Sequence, residues 1–147
     1  MIELTEDGLS LKPGAEKKRI AGTAFEAAYI HKRGDYYYMF ASIGSCCRGV
    51  ESTYKVVVGR SKKVWGPYKD KSGKPMLKNG YSLVIGANDY FVGNGHGSQM
   101  IRDDAGQDWL LYHGFSRSAP ENGRILLLDQ IKWDKDCLLY TSHAADD

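Results

Sequence analysis

Short apolar or aromatic runs, separated by turn residues, make up most of the chain, and no window holds a 3.6-residue apolar period over three turns. Residues 28–31, the turn Lys32-Arg33-Gly34-Asp35 and the aromatic run 36–42 predict strand, tight turn, strand. Residues 54–61 (Tyr-Lys-Val-Val-Val-Gly-Arg-Ser) are β-branched and read as a further strand. Gly66-Pro67-Tyr68 then turns the chain. Residues 99–102, the turn 103–107 and residues 109–113 repeat the first plan, and 124–133 has room for two more short strands.

The segments beginning at Ala27 and Ser98 are therefore weak internal repeats, each a strand, a glycine-containing turn and an aromatic strand. Recurring antiparallel meanders predict an all-β fold of the propeller kind, where a blade takes roughly 40–50 residues. The spacing exceeds one blade, so an insertion is expected, and residues 75–95 are the candidate. An ordinary β-sandwich is the competing architecture. Residues 1–11 read as an outer strand of an earlier blade. Residues 1–136 are taken as one partial propeller domain. Residues 137–147, which end Ala-Ala-Asp-Asp and drop the β pattern, are set apart as a non-native-looking tail.

A chain of 147 residues with 42% hydrophobic and 26% charged residues suits one globular unit with a core. A net charge of +2 gives no argument for nucleic acid or a membrane surface as partner, and no apolar run approaches the roughly 18 residues of a membrane span. No signal peptide is visible after Met1. The three cysteines, Cys46, Cys47 and Cys137, match no zinc spacing, and their odd number argues against a disulfide framework. Cys46 and Cys47 read as small loop residues, with a disulfide between neighbours as the sharper alternative.

Candidate chemistry follows from the meander. Glu26 opens the first strand, and the loop 43–53 returns to the same end, so Cys46, Cys47, Ser52 and Thr53 become candidate substrate contacts there. His96, in Gly93-Asn94-Gly95-His96-Gly97-Ser98, opens the second repeat and is expected at the equivalent place, facing a central cavity. Phe25 and Ala27-Ala28 suggest an apolar setting for Glu26, which favours the protonated carboxyl that a general acid needs. The bland alternatives are a solvated strand-end glutamate and a turn histidine. Asp35, Asp103, Asp104 and Asp108 read as turn formers.

Several of these motifs, in this order, resemble glycoside hydrolase family 43. Residues 25–38 (Phe-Glu-Ala-Ala-Tyr-Ile-His-Lys-Arg-Gly-Asp-Tyr-Tyr-Tyr) look like its general-acid strand. Cys46-Cys47-Arg48-Gly49, Ser52-Thr53-Tyr54 and Val58-Gly59-Arg60-Ser61 look like its arabinanase and α-L-arabinofuranosidase branch. Gly95-His96-Gly97-Ser98 is similar to the family's Gly-His-x-Ser element, with Gly97 where many relatives have Asn, and Asp129 to Trp133 resembles a closing strand.

The resemblance implies a five-bladed β-propeller, about three blades of it in this chain, that cleaves α-L-arabinofuranosidic linkages of plant cell-wall arabinan with inversion. It implies Glu26 as general acid, His96 near a central calcium ion, in part through water, and secretion or periplasmic export of the parent. The family's general base and its second aspartate match no position here, so the chain alone is expected to be inactive. A β-xylosidase of the same family and a non-catalytic carbohydrate-binding propeller are the rivals.

Overall fold

The computed structural model describes residues 1–133 and 139–141. The first meander is β1 (Glu26–Arg33), β2 (Tyr36–Ile43), β3 (Lys55–Ser61) and β4 (Ser82–Ile85), each antiparallel to the next. Gly34 makes the β1–β2 turn at φ 54°, a conformation that glycine adopts without steric cost.

The second meander begins with β5 (Phe91–Gly95) and the two-residue β6 (Ile101–Arg102), and both pair with β7 (Asp108–Ser116). They are thus one strand interrupted at residues 96–100. β8 (Arg124–Trp133) pairs with β7, and β9 (Leu139–Thr141) pairs with β8. A parallel bridge between Lys55 and Asn94 joins the two meanders into one curled sheet.

The all-β expectation holds among the described residues, where the only helical pieces are three short 3-10 turns. Several details differ from the sequence reading. Residues 75–95 are not an insertion: they contain β4 and β5. The second meander therefore starts at Phe91, and His96 follows its first strand instead of opening it. Residues 124–133 form one strand, not two. The described residues hold two meanders, and residues 1–11 contribute one isolated bridge, Leu4 with Leu11, in place of a third blade's strand. Residues 139–141, inside the segment set apart as a tail, lie along β8. The other tail positions, Cys137 included, lie outside the described residues.

Strand alternation explains the core. On β2, Tyr38 and Phe40 point to one face, while Met39, Ala41 and Ile43 point to the other, and all five are buried. The first face packs with Val56, Val58, Leu110, Tyr112 and Ile131, which fills the space between the meanders. The second is covered by Val57, Tyr68 and Met76, with Ile20 and Phe25 alongside. A sheet buried on both faces needs neighbours on both sides, as a blade in a stack has. Among the described residues the far face of the second meander lacks one: Leu126 is 70% exposed and Leu128 52% exposed.

Candidate active site

Glu26 stands at the head of β1, opposite Ser42 at the tail of β2. The register slips between Glu26 and Tyr29, and Ala27 takes a positive φ of 48°. This bulge re-aims the side chain at the strand's start. The apolar enclosure expected from Phe25 does not form. Phe25 turns toward Tyr81, edge to face at 6.4 Å, and Glu26 is exposed.

What meets Glu26 instead is Tyr54, just before β3. Tyr54 is 1% exposed, and its hydroxyl faces Glu26 and Ser42, near enough to interact with both. Burial, then the neighbouring Glu26 carboxylate, push the Tyr54 hydroxyl up to about 12. Ser42, fully buried, accepts a 2.8 Å hydrogen bond from the His96 main-chain N–H. Ser42 thus lies opposite Glu26 in the sheet and bonds the His96 amide.

The Tyr54 ring lies on bare backbone: a Cβ on Gly95 would sit 2.1 Å from its Cδ1. The ring also stacks on His113 of β7, with centroids 5.8 Å apart, and His113 in turn stacks on His96 at 6.1 Å. Burial, then the nearby charges of Arg124 and His96, hold the His113 imidazole below its ordinary value. Its Nδ1 is buried without a hydrogen-bond partner. The sequence singled out Tyr54 only as part of a strand and of the Ser52-Thr53-Tyr54 motif, and His113 not at all. The usable signal was alternation, since Trp109, Leu111 and His113 share one face of β7.

The loop candidates are placed as follows. Cys46 and Cys47 form a disulfide, which settles the choice between the two readings of that pair. Cys47 lies beside Arg124, Nη1 to Sγ 4.0 Å. The Ser52 hydroxyl accepts the Arg48 N–H at 3.0 Å and is buried against Gly93. Thr53 is exposed, and its hydroxyl accepts the Ser45 N–H at 3.0 Å. Ser52 and Thr53 thus brace the loop, and the disulfide sits at its outer side near Arg124.

Calcium takes six to eight oxygen ligands. This end of the sheet offers two imidazoles, and no group of three His, Cys, Asp or Glu able to hold a metal occurs among the described residues. The residues present do not make a calcium shell by themselves.

At the opposite end of the strands, Asp108 is not the turn former expected. It is 3% exposed and binds Arg33 at 2.7 Å, Arg102 at 2.9 and 3.1 Å, and the Trp133 indole N–H at 2.7 Å. Burial works against the charged carboxyl, but the bonds from Arg102 and Trp133 and the Arg102 and Arg33 charges prevail and hold it below the usual carboxylate range. Asp103 does form its turn, accepting the Gln107 N–H at 2.8 Å.

The family model described as "Glycosyl hydrolases family 43" matches residues 1–138. The chain belongs to glycosyl hydrolase family 43. This family 43 chain is 46% identical over 115 residues to the extracellular exo-α-(1→5)-L-arabinofuranosidase ArbA of Cellvibrio japonicus (strain Ueda107), covering 78% of the chain and 32% of that protein. It is 37% identical over 139 residues to the extracellular endo-α-(1→5)-L-arabinanase 1 of Bacillus subtilis (strain 168), covering 90% of the chain and 41% of that protein. Among solved structures it resembles the Cellvibrio cellulosa α-L-arabinanase complexed with arabinohexaose, with a TM-score of 0.86 and 36% identity, over 95% of the chain and 48% of that one. The chain thus spans less than half the length of these relatives.

Proposed function

We propose that this chain is the acid-bearing part of an arabinan hydrolase of family 43, and that Glu26 is its general acid. The observation that carries the reading is the convergence of Glu26, opposite Ser42 in the sheet, with the Tyr54 hydroxyl and the His96 amide that bonds Ser42, at one end of the sheet in a chain of this family. Glu26 is within the junction yet exposed, so one side of its carboxyl is open to a substrate.

In this mechanism Glu26 gives its proton to the leaving glycosidic oxygen as the bond from the anomeric carbon breaks, and that oxygen takes the electron pair. A water attacks the anomeric carbon from the opposite face and passes its proton to a second carboxylate. Inversion requires the two carboxyls about 6.5–9.5 Å apart. We assign the second carboxylate to residues outside this chain, in the remainder of a five-bladed propeller. The chain alone is then inactive. The α-(1→5)-L-arabinan activities for which these relatives are named favour arabinan over xylan and enzyme over passive binding module. Their description as extracellular favours secretion of the parent, which would meet plant polysaccharide outside the cell.

In the same reading Cys46, Cys47, Ser52 and Thr53 form a wall of the substrate groove. His96 contributes at most a water-bridged contact to a central ion whose oxygen ligands lie elsewhere.

The test is Glu26→Gln in the full-length protein carrying this segment, assayed on arabinan. Loss of an acid catalyst lowers turnover by about 100- to 10,000-fold. Turnover within twofold of the unmodified protein refutes the assignment.

A further inference from the structure

An exposed glutamate on a bulge has rotatable bonds and no packing to choose among its rotamers, yet a general acid must meet the leaving oxygen at hydrogen-bond distance. The junction supplies the missing restraint. The His96 N–H donates to Ser42 Oγ at 2.8 Å. With the Tyr54 hydroxyl facing both Ser42 and Glu26, the order that gives each hydroxyl proton an acceptor is Ser42 to the Tyr54 oxygen and Tyr54 to Glu26. In that order every donor points toward the carboxyl. Tyr54 is itself buried and held, by Gly95 against its ring, by the stacked His113 and by its own N–H on the Ser45 carbonyl at 3.1 Å.

We propose that Tyr54 is a positioning residue for Glu26: its hydroxyl binds one carboxyl oxygen and so presents the other, with its proton, to the leaving group, while Ser42 and the His96 amide hold Tyr54 in turn. This rests on the reading of Glu26 as the acid. Tyr54 keeps its own proton throughout. As Glu26 gives up its proton, the Tyr54 bond becomes a bond to a carboxylate and strengthens. The interaction is thus worth more in the transition state than in the ground state and acts on kcat more than on KM.

The test compares Tyr54→Phe, Glu26→Gln and the double variant in the full-length protein. The substrates are an arabino-oligosaccharide, whose leaving group needs the proton, and 2,4-dinitrophenyl α-L-arabinofuranoside, whose leaving group does not. Tyr54→Phe keeps the ring contacts with Gly95 and His113. On the oligosaccharide its kcat falls about 10- to 100-fold, in keeping with the loss of one oriented donor, while KM stays within about twofold. On the aryl substrate the loss stays under about threefold, and adding Tyr54→Phe to Glu26→Gln costs nothing further. Equal losses on the two substrates, a full additional loss in the double variant, or an unchanged kcat overturns the proposal. If Glu26→Gln itself spares oligosaccharide turnover, the acid assignment has failed first, which separates the two ideas. Should Tyr54→Phe not fold, Ser42→Ala carries the same test, with the same dependence on leaving group and a smaller loss expected; equal losses on the two substrates, or no loss, overturn it there as well.

Discussion

Arg33 at the tail of β1 and Asp108 at the head of β7 meet at 2.7 Å, which ties the two meanders together at the end of the sheet away from Glu26. Asp108 is buried and neutralised by two guanidiniums, so Asp108→Asn leaves the packing and removes the charge. Breaking a buried pair is costly, but both arginines are partly exposed, which reduces the cost to about 2 kcal/mol. The sign of the pH dependence follows from the lowered carboxyl. Its contribution is present in full above the unfolded value of about 3.9 and is lost as pH falls through the lower folded value. Urea midpoints of the two proteins should therefore differ at pH 7 and converge as the pH drops below 4.

Gly95 and Gly97 lie two residues apart and should respond differently to the same change. Gly95→Ala drives a methyl to 2.1 Å from the Tyr54 ring and costs about 1–3 kcal/mol as overpacking. At Gly97 the added methyl meets Leu110 at 3.4 Å, an ordinary contact, so Gly97→Ala should change stability by less than about 0.5 kcal/mol. Chemical denaturation of both variants checks the contrast.

Tyr112 donates to Asp129 at 2.5 Å inside the second meander, and both residues are buried. Burial, then the bond to Asp129, push this phenol well above its ordinary value, so it stays a donor at any working pH. Tyr112→Phe deprives the buried carboxyl of that donor and should cost about 1–3 kcal/mol. The drop in melting temperature measures it.

Leu126 and Leu128 stand on the uncovered face of β8, opposite His113 and Leu111 of β7. An apolar sheet face in water promotes association. The chain should sediment as concentration-dependent oligomers, and Leu126→Lys with Leu128→Glu should shift it toward monomer.

The parts of the fold legible in the sequence are those where neighbouring residues decide the outcome. Residues 28–42 announce β1, its glycine turn and β2 because alternation, β propensity and the turn signal agree. β4 and β5 stayed hidden. β4 is four residues long, and Gly93-Asn94-Gly95 in β5 has little strand propensity. Asn94 is nonetheless held, its amide donating to the Gly86 carbonyl at 2.7 Å.

The site divides the same way. The place of Glu26 at the head of β1 was legible because a recognisable motif opens a strand there. Its partners were not, since the Tyr54 hydroxyl, the Ser42 hydroxyl and the His96 amide are brought together by register between strands and by the fold of a loop. Asp108 looked like any turn aspartate, because its partner Arg33 lies 75 positions away in the chain.

Among the described residues the seam between the meanders is fastened along its length, by Arg33 with Asp108 at one end, by the Met100 N–H on the Tyr29 hydroxyl, and by the Lys55–Asn94 bridge and the His96 amide on Ser42 towards the other. A motion that peels one meander from the other must undo these clasps together. The His96 amide should then exchange with solvent deuterium only as slowly as the whole seam opens. The acid's support would come loose when the module parts, and not before.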